Sequence, residues 1–516
     1  MATKALINPT KGEFYIPPDD RLRALVPHRS VTIKGKEYDA FPHVTDVTRL
    51  ARNLDYTVPA PVYVRYPWKD TNAFETQRIT AALLTMHRRA YVLNEMGTGK
   101  TRAALYAIHW MLMQNEIKRV LVVAPLSTLD QVWAYEVMRY FPELSTGTVY
   151  GTKKKRLKVL GEHHQIYVIN HHGIGTCLDE LKAMDFDVIL VDEIATFRNR
   201  RTELWKNLDV ITSKAPYVWG MTGSPTPQAP TDAWGQVKLL TPEKVPKYFK
   251  PFQRLTMNQI TQFKWIPKPE ANDIVHSVMQ PAVRFKRDDC VELPPVSYSY
   301  KKVVQSKEQT RVYNELIKKL TIAFNNGEVT AANEGVLFSK LLQIASGWVY
   351  TKDKSIVDLA PKERLDALTE LLDEAEGKVI VFADFVHTAD QVYSHLYRKK
   401  YSCELVTGQT STTERNRIFG SFQRLDSPRI IVAHPKCMAH GLTLTEASMI
   451  VWYTPTTSLE TYEQACARIT RPGQTRKQLI AHLTGTAVES KVYRRLKEKG
   501  TVQGALLDLF AEIIAS

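Results

Sequence analysis

Tyr91-Val92-Leu93-Asn94-Glu95-Met96-Gly97-Thr98-Gly99-Lys100-Thr101 sets an apolar run, a glycine-bearing loop and a lysine-threonine pair in one line, and an Ala- and Leu-rich run with helical spacing follows at once. Strand, loop and helix therefore stand in the order that a phosphate-binding loop requires. Glycine tolerates the left-handed backbone of a tight loop, so Gly97 and Gly99 let successive N–H groups close around phosphate oxygens, with Met96 and Thr98 as the loop's other members. The helix that follows turns the positive end of its dipole to the same place. In such a loop Lys100 meets the β and γ phosphates and Thr101 offers a hydroxyl to Mg2+. The generic pattern asks for glycine five residues before Gly99, where this chain has Asn94, so the loop is a variant. A glycine-rich turn with an incidental lysine is the competing account; the strand before it and the helix after it favour the phosphate loop.

Around this loop, residues 71–242 alternate β-rich apolar runs (90–93, 120–124, 166–169, 188–191 and 217–221) with helical stretches. That order predicts a parallel sheet covered by helices. The run 188–191 leads straight into Asp192-Glu193, which places two carboxylates at the carboxyl end of a buried strand, where α/β sheets bind ligands. There Asp192 would hold Mg2+, directly or through water, and Glu193 would orient and deprotonate an attacking water. Adjacent buried acids are costly without a metal. The alternative is an Asp-Glu pair capping the next helix.

A second alternating series fills residues 378–482, with strands expected at 379–382, 430–433, 450–452 and 479–482. Between the two series lie a Pro-rich, mixed-polarity span (242–295) and a helical stretch (306–346) broken at Asn325-Asn326-Gly327, which read as linker and helical insert. Near the start, residues 30–38 alternate around Lys34-Gly35-Lys36 as a hairpin would, and residues 44–54 have helical spacing. The expected fold class is therefore α/β, with two tandem α/β domains. The expected organisation is a small α+β N-terminal module over residues 1–62, a first lobe over 63–285, a linker and helical insert over 286–360, and a second lobe over 361–516.

The 516-residue length predicts about three compact units, and 44% hydrophobic with 24% charged residues is ordinary for a packed chain. Lys and Arg number 69 against 54 Asp and Glu, a net charge of +15 and a pI near 9.3. That balance suits a polyanion whose counterions can be released, although a merely solvated basic surface is the other reading. The five cysteines stand far apart with no C-x-x-C pair, so neither a zinc site nor a disulfide scaffold is indicated. The first 20 residues have no apolar core of a leader, and the apolar runs are strand-sized, so a reducing cytoplasm without membrane attachment is expected.

With these elements in place, residues 74–499 resemble the core of helicase superfamily 2, and closely its Swi/Snf-type, chromatin-remodeller-like branch. Gln77, in Phe74-Glu75-Thr76-Gln77, occupies the position of the glutamine that reads adenine in that family. Pro125-Leu126-Ser127, followed by Trp133 and Glu136, matches motif Ia. Asp192-Glu193-Ile194-Ala195 matches motif II, except that Ala195 stands where the family has the His or Asp that links motif II to motif III. Thr222-Gly223-Ser224-Pro225 is similar to motif III, residues 283–295 to the signature joining the two lobes, and His440-Gly441-Leu442-Thr443-Leu444-Thr445 to a glycine-poor motif V.

Gln464-Ala465-Cys466-Ala467-Arg468-Ile469-Thr470-Arg471-Pro472-Gly473-Gln474 fits the branch's motif VI, Q-x-x-x-R-x-x-R-x-G-Q, at every fixed position. Two guanidiniums at i and i+3 can face one γ phosphate from the opposite lobe and stabilise its transition-state charge. A basic solvated helix face is the plainer alternative.

The resemblance implies two RecA-like lobes and an ATP-dependent motor that translocates on DNA, duplex or branched, and can unwind, anneal or remodel it. ATP and Mg2+ are the implied cofactors. Gln77, residues 96–101 and Gly441 are the implied nucleotide-binding residues, and Thr101 and Asp192 the metal-binding ones. Glu193, Gln464, Arg468 and the arginine finger Arg471 are the implied catalytic residues. Ser127, His171, Thr222, Ser224 and Thr443 are the implied nucleic-acid contacts. Thr457-Ser458-Leu459 stands where remodellers carry Trp-Asn-Pro, and the run Ser458-Leu459-Glu460 is similar to stand-alone bacterial and bacteriophage members, so a minimal motor in a bacterial or phage-infected cytoplasm is expected.

Two basic stretches, 153–158 and 491–499, either track phosphates or form solvated faces. The N-terminal hairpin and helix weakly resemble a HepA-related module that engages branched DNA; the plainer reading is a brace for the first lobe. An RNA helicase with the same ATPase, and a weakly hydrolysing nucleic-acid-binding scaffold suggested by Ala195, remain as alternatives at this point. Protein partners are not indicated by any motif.

Overall fold

Val120–Ala124, Ile166–Asn170 and Val188–Asp192 are buried from end to end because Val, Ile and Leu occupy both of their faces, the composition of a parallel sheet covered on both sides. The computed structural model describes residues 3–261, 265–286, 289–290, 296–325, 331–351, 355–438, 444–470, 474 and 476–498. The chain divides into two compact units, Met1–Val291 and Glu292–Ser516.

The first unit is built on a seven-stranded sheet in the order Ala282–Val283, Arg89–Val92, Tyr217–Met221, Val188–Asp192, Val120–Ala124, Ile166–Asn170, Thr146–Val149. Every neighbouring pair is parallel, so all seven carboxyl ends lie on one edge. Helices cover both faces and close two apolar cores, one around Trp133 and Trp219, the other around Tyr91, Phe197 and Phe252.

Ahead of that sheet, Leu6–Asn8, Glu13–Ile16, Lys36–Pro42 and Arg29–Ile33 form a four-stranded antiparallel sheet in that order. The expected hairpin is there: Lys34 and Gly35 both take positive φ, 48° and 77°, the pairing that a two-residue hairpin turn demands. The helix Thr45–Asn53 packs this module onto the large sheet's covering layer through Arg49. Its Nε donates to the Met86 carbonyl at 2.9 Å, and its Nη2 to the Thr85 carbonyl at 2.7 Å and the Tyr217 hydroxyl at 3.0 Å. The brace is thus a physical feature of the first unit.

The second unit is a six-stranded parallel sheet in the order Val296–Lys302, Gln478–Thr484, Ala447–Trp452, Lys378–Phe382, Ile430–Ala433, Cys403–Val406. The expected α/β class is therefore the observed one. The helical stretch resolves into Lys307–Asn325 and Ala331–Ser346. Arg364, on the helix Lys362–Glu374, is buried among backbone carbonyls and pairs with Glu489 at 2.6 Å. Glu489 is itself fully buried, and its other oxygen accepts the Gly485 and Thr486 N–H groups at 2.8 and 3.1 Å. This pair joins three elements of the unit, because each charge is dry and must be met by the other.

Removing one member strands the other, so Arg364→Ala is expected to cost about 3–5 kcal/mol. The loss is read as a lower urea midpoint of the full chain by circular dichroism.

Candidate functional site

The phosphate loop opens at the end of Arg89–Val92 and closes into the helix Lys100–Met113, whose cap Gly99 takes a left-handed φ of 74°. Gly97 is left-handed as well, at 84°, and both glycines are where a tight loop needs them. A side chain at Gly99 would place its Cβ 2.2 Å from Gln77 Nε2. Gln77 lies buried against this cap, donating from Nε2 to the Gly99 carbonyl at 3.2 Å and accepting the Phe74 N–H at 3.0 Å. Lys100 donates to the Asn94 and Glu95 carbonyls at 2.8 and 3.1 Å, and Thr98 to the Glu95 carbonyl at 2.8 Å.

Asn94 explains how this loop dispenses with its first glycine. It is not among the residues with positive φ, so no glycine backbone is required there. Its buried amide instead donates to Thr80 Oγ1 at 3.1 Å and accepts the Phe285 N–H at 2.9 Å. Asparagine here bolts the loop to the strand-like segment that carries residues 282–286.

Asp192 and Glu193 stand at the carboxyl end of the central strand Val188–Asp192, one strand removed from the phosphate-loop strand. Both oxygens of Asp192 are held: Oδ2 accepts the Trp133 indole N–H at 3.1 Å, and Oδ1 the Glu193 backbone N–H at 3.1 Å. Glu193 sits in the left-handed region, φ 52° and ψ 55°, a conformation that costs a non-glycine residue on the order of 1 kcal/mol. That turn brings its Oε2 to the Thr222 hydroxyl, which donates at 3.1 Å.

Thr222 in turn joins the last ladder bond to the phosphate-loop strand, its N–H donating to the Val92 carbonyl at 3.0 Å. Next to it, Gly223 lies so close to the loop that a Cβ would meet Met96 Cγ at 3.2 Å and Lys100 Nζ at 3.6 Å. The lysine, the acid pair and the Thr222-Gly223-Ser224 turn are therefore gathered at one edge of one sheet. Thr101 follows Lys100 in the first turn of the same helix.

Of the expected nucleic-acid contacts, Ser127 and Ser224 are half-buried. His171 and Thr222 are buried, at 7% and 0% exposure. The His171 ring meets the Asp192 carbonyl through Nε2 at 2.9 Å, and Thr222 serves Glu193. Both side chains thus face the acid pair: Thr222 ends the strand next to Val188–Asp192 and meets Glu193, and His171 reaches past the intervening Val120–Ala124 strand to the Asp192 carbonyl. Trp133, placed in register by the sequence but given no role there, is the residue that reasoning missed. No local signal pairs it with Asp192, because the two stand 59 residues apart and meet only in the fold.

In the second unit Gln464 and Arg468 are buried; Gln464 Nε2 donates to Glu460 Oε1 at 3.0 Å and Arg468 Nε to the Gln464 carbonyl at 2.9 Å. Gln474 donates to the Thr445 and Ala447 carbonyls, both at 3.0 Å, and so fastens the motif to its own sheet. Arg471, Gly441 and Thr443 lie outside the described residues. In the basic stretches Lys153, Lys154, Lys155, Lys158, Arg494 and Lys497 are exposed, whereas Arg156, in Lys153–Leu160, is buried on the Val149 carbonyl and Asn170, and Lys491, in Ala487–Lys497, is buried as well.

Comparison with known proteins gives a match to the SNF2-related domain over residues 80–347, more than half of the chain, and to the helicase conserved C-terminal domain over 363–473. The chain belongs to the SNF2-related family. Its two parallel sheets are the two RecA-like lobes of that family, whose members are ATP-hydrolysing nucleic-acid motors. The yeast (Saccharomyces cerevisiae) ISWI chromatin-remodeling complex ATPase ISW1 is 24% identical over 446 residues, covering 81% of this chain and 39% of its own length. Putative protein p41 of Acyrthosiphon pisum secondary endosymbiont phage 1 is 24% identical over 452 residues, covering 82% of this chain and 95% of its own. The human (Homo sapiens) DNA annealing helicase and endonuclease ZRANB3 is 23% identical over 488 residues, 90% and 42% of the two chains. The SNF2-related chain thus spans about two fifths of the yeast and human relatives. No helix among its described residues is long and apolar enough to cross a membrane.

The SNF2-related site fits a divalent cation by its charge. Burial, and then the neighbouring Glu193 carboxylate, push the Asp192 carboxyl up to about 6, against the lowering effect of the Trp133 indole and the Lys100 ammonium. The ionised form is thus penalised in the folded chain, and a cation at Asp192 would offset the penalty. Because the folded value exceeds the ordinary 3.8, the penalty is complete above about pH 6. It fades as the pH falls from there toward 4, where the folded chain already holds the proton. Relative to Asp192→Asn, which does not titrate, the wild-type protein in EDTA is therefore expected to gain stability as the pH falls from about 6 toward 4. Urea unfolding of both proteins across that range checks it.

Proposed function

We propose that the chain is an ATP-driven motor that translocates on DNA, duplex or branched, and couples hydrolysis at the Lys100, Asp192 and Glu193 site to movement along the backbone. The observation that carries this reading is the gathering of phosphate loop, acid pair and Thr222-Gly223-Ser224 turn at one sheet edge, with Thr222 bonded to both Glu193 and the loop strand. Residues 96–101 cradle the triphosphate and Gln77 reads the adenine. Glu193, aimed by Thr222, takes the proton of the attacking water. Asp192 and Thr101 would hold Mg2+, which when bound would neutralise charge developing on the phosphates. Arg468 and Arg471 are the proposed catalytic arginines, with the Gln464 carbonyl bracing Arg468, and Gly441 is proposed as a further nucleotide-binding residue.

The choice of DNA is supported by the SNF2-related family, by the name of the human relative, a DNA annealing helicase, and by the net charge of +15. Ser127, Ser224 and Thr443 are assigned to its backbone, with His171 and Thr222 acting one layer beneath. The near full-length match to the phage protein supports a minimal motor working in the cytoplasm of a bacterial or phage-infected cell. The organisation proposed keeps the N-terminal module at 1–62, the first lobe at 63–285, the insert at 286–360 and the second lobe at 361–516.

ATP hydrolysis measured with single-stranded, duplex and forked DNA and with RNA tests the reading. Stimulation by duplex or forked DNA is expected; stimulation by RNA alone assigns the motor to RNA, and none at all makes the chain a scaffold.

Lys100→Ala and Glu193→Gln are each expected to lower turnover at least about 100-fold with unchanged circular dichroism. Arg471→Ala is expected to lower it comparably while ATP-analogue binding persists. Turnover retained in the first two removes the active-site assignment.

A further inference from the structure

One short stretch of the first unit touches both halves of the proposed ATP site. Leu129–Ala134 forms a π-helical turn that continues as the α-helix Tyr135–Tyr140. Such turns are rare, and frequent at functional sites. This one aims Trp133, which is fully buried, at Asp192 Oδ2. Three residues on, Glu136 accepts two hydrogen bonds from Arg102, at 2.9 and 3.2 Å, and Arg102 lies in the first turn of the helix that Lys100 opens. The stretch begins immediately after the 3-10 turn Leu126–Thr128, which carries Ser127.

An indole has one donor and no acceptor, so the Trp133 bond fixes a carboxylate lone pair and nothing else. With Oδ1 held by the Glu193 N–H, the Asp192 carboxylate has little freedom of its own, and its attitude follows the π-helical turn. Ala195 offers no polar side chain to do this from within the acid motif.

We infer that Trp133 is a positioning residue that sets the Asp192 carboxylate for the divalent cation and passes the state of the Ser127 turn to it, so that DNA engaged at that turn tightens metal binding. The inference rests on the ATP-site reading above. Coupling between two ligands through such a link is reciprocal, which makes it measurable without turnover.

The probe is Mn2+, titrated by electron paramagnetic resonance onto the full chain loaded with a non-hydrolysable ATP analogue, with and without saturating duplex DNA. DNA is expected to tighten Mn2+ binding to the wild type by about 5-fold or more, and Trp133→Phe, which keeps a ring but lacks the N–H, to reduce the effect to less than about 2-fold. Equal Mn2+ affinity of the wild type with and without DNA overturns the inference whatever the variant does, provided that DNA stimulates hydrolysis. A Trp133→Phe protein that is less stable but keeps the full DNA effect assigns the indole to packing alone and overturns it too. DNA that neither binds nor stimulates the wild type fails the functional reading itself, a distinct result.

Discussion

Two carboxylates side by side at the dry end of a parallel strand repel each other, and much of the first unit is arranged to hold them there. Burial and mutual repulsion penalise the charge on Asp192, while the Trp133 indole, the Glu193 N–H and the His171 contact at its carbonyl fix its position. Glu193 takes a left-handed backbone to reach Thr222. A site that stores unfavourable negative charge in a fixed geometry is one that a divalent cation would relieve.

The rest of the unit makes that edge rigid. Seven parallel strands put every carboxyl end on one side, and the Thr222-to-Val92 ladder bond ties the acid pair's support to the phosphate loop. Asn94 anchors the loop's entry to Phe285, so the segment leading out of the unit is fastened to the nucleotide site. Arg49 braces the N-terminal module against the same layer. In the second unit the Arg364 and Glu489 pair and the Gln474 amide play the corresponding part, fixing helices to the strands that carry motif VI.

Local signals were read well where a backbone rule or a fixed spacing carries them. The Lys34-Gly35 hairpin, the fully apolar strands and the left-handed Gly97 and Gly99 follow from turn chemistry and burial, which depend on neighbours in the chain. Contacts across the sheet were not legible. His171 and Thr222 look like surface contacts in a linear motif, yet each turns toward Asp192 or Glu193, because the parallel sheet gathers the carboxyl ends of separate strands at one edge. Arg156 and Lys491 carry charge that composition counts as surface, while packing uses their stems and donors inside.

By itself, the order of residues determined the α/β class, the phosphate loop with its lysine, the paired acids at a strand end and the spacing of the motif VI arginines. These are properties of short windows, fixed by periodicity, by glycine's backbone freedom and by covalent spacing. Only the tertiary structure decided that Asn94 replaces a glycine by hydrogen bonding, that Thr222 aims Glu193 and that Trp133 grips Asp192. Each of those is a bond between strands and helices tens to nearly two hundred residues apart, and such bonds exist only once the sheet has brought their donors and acceptors within about 3 Å.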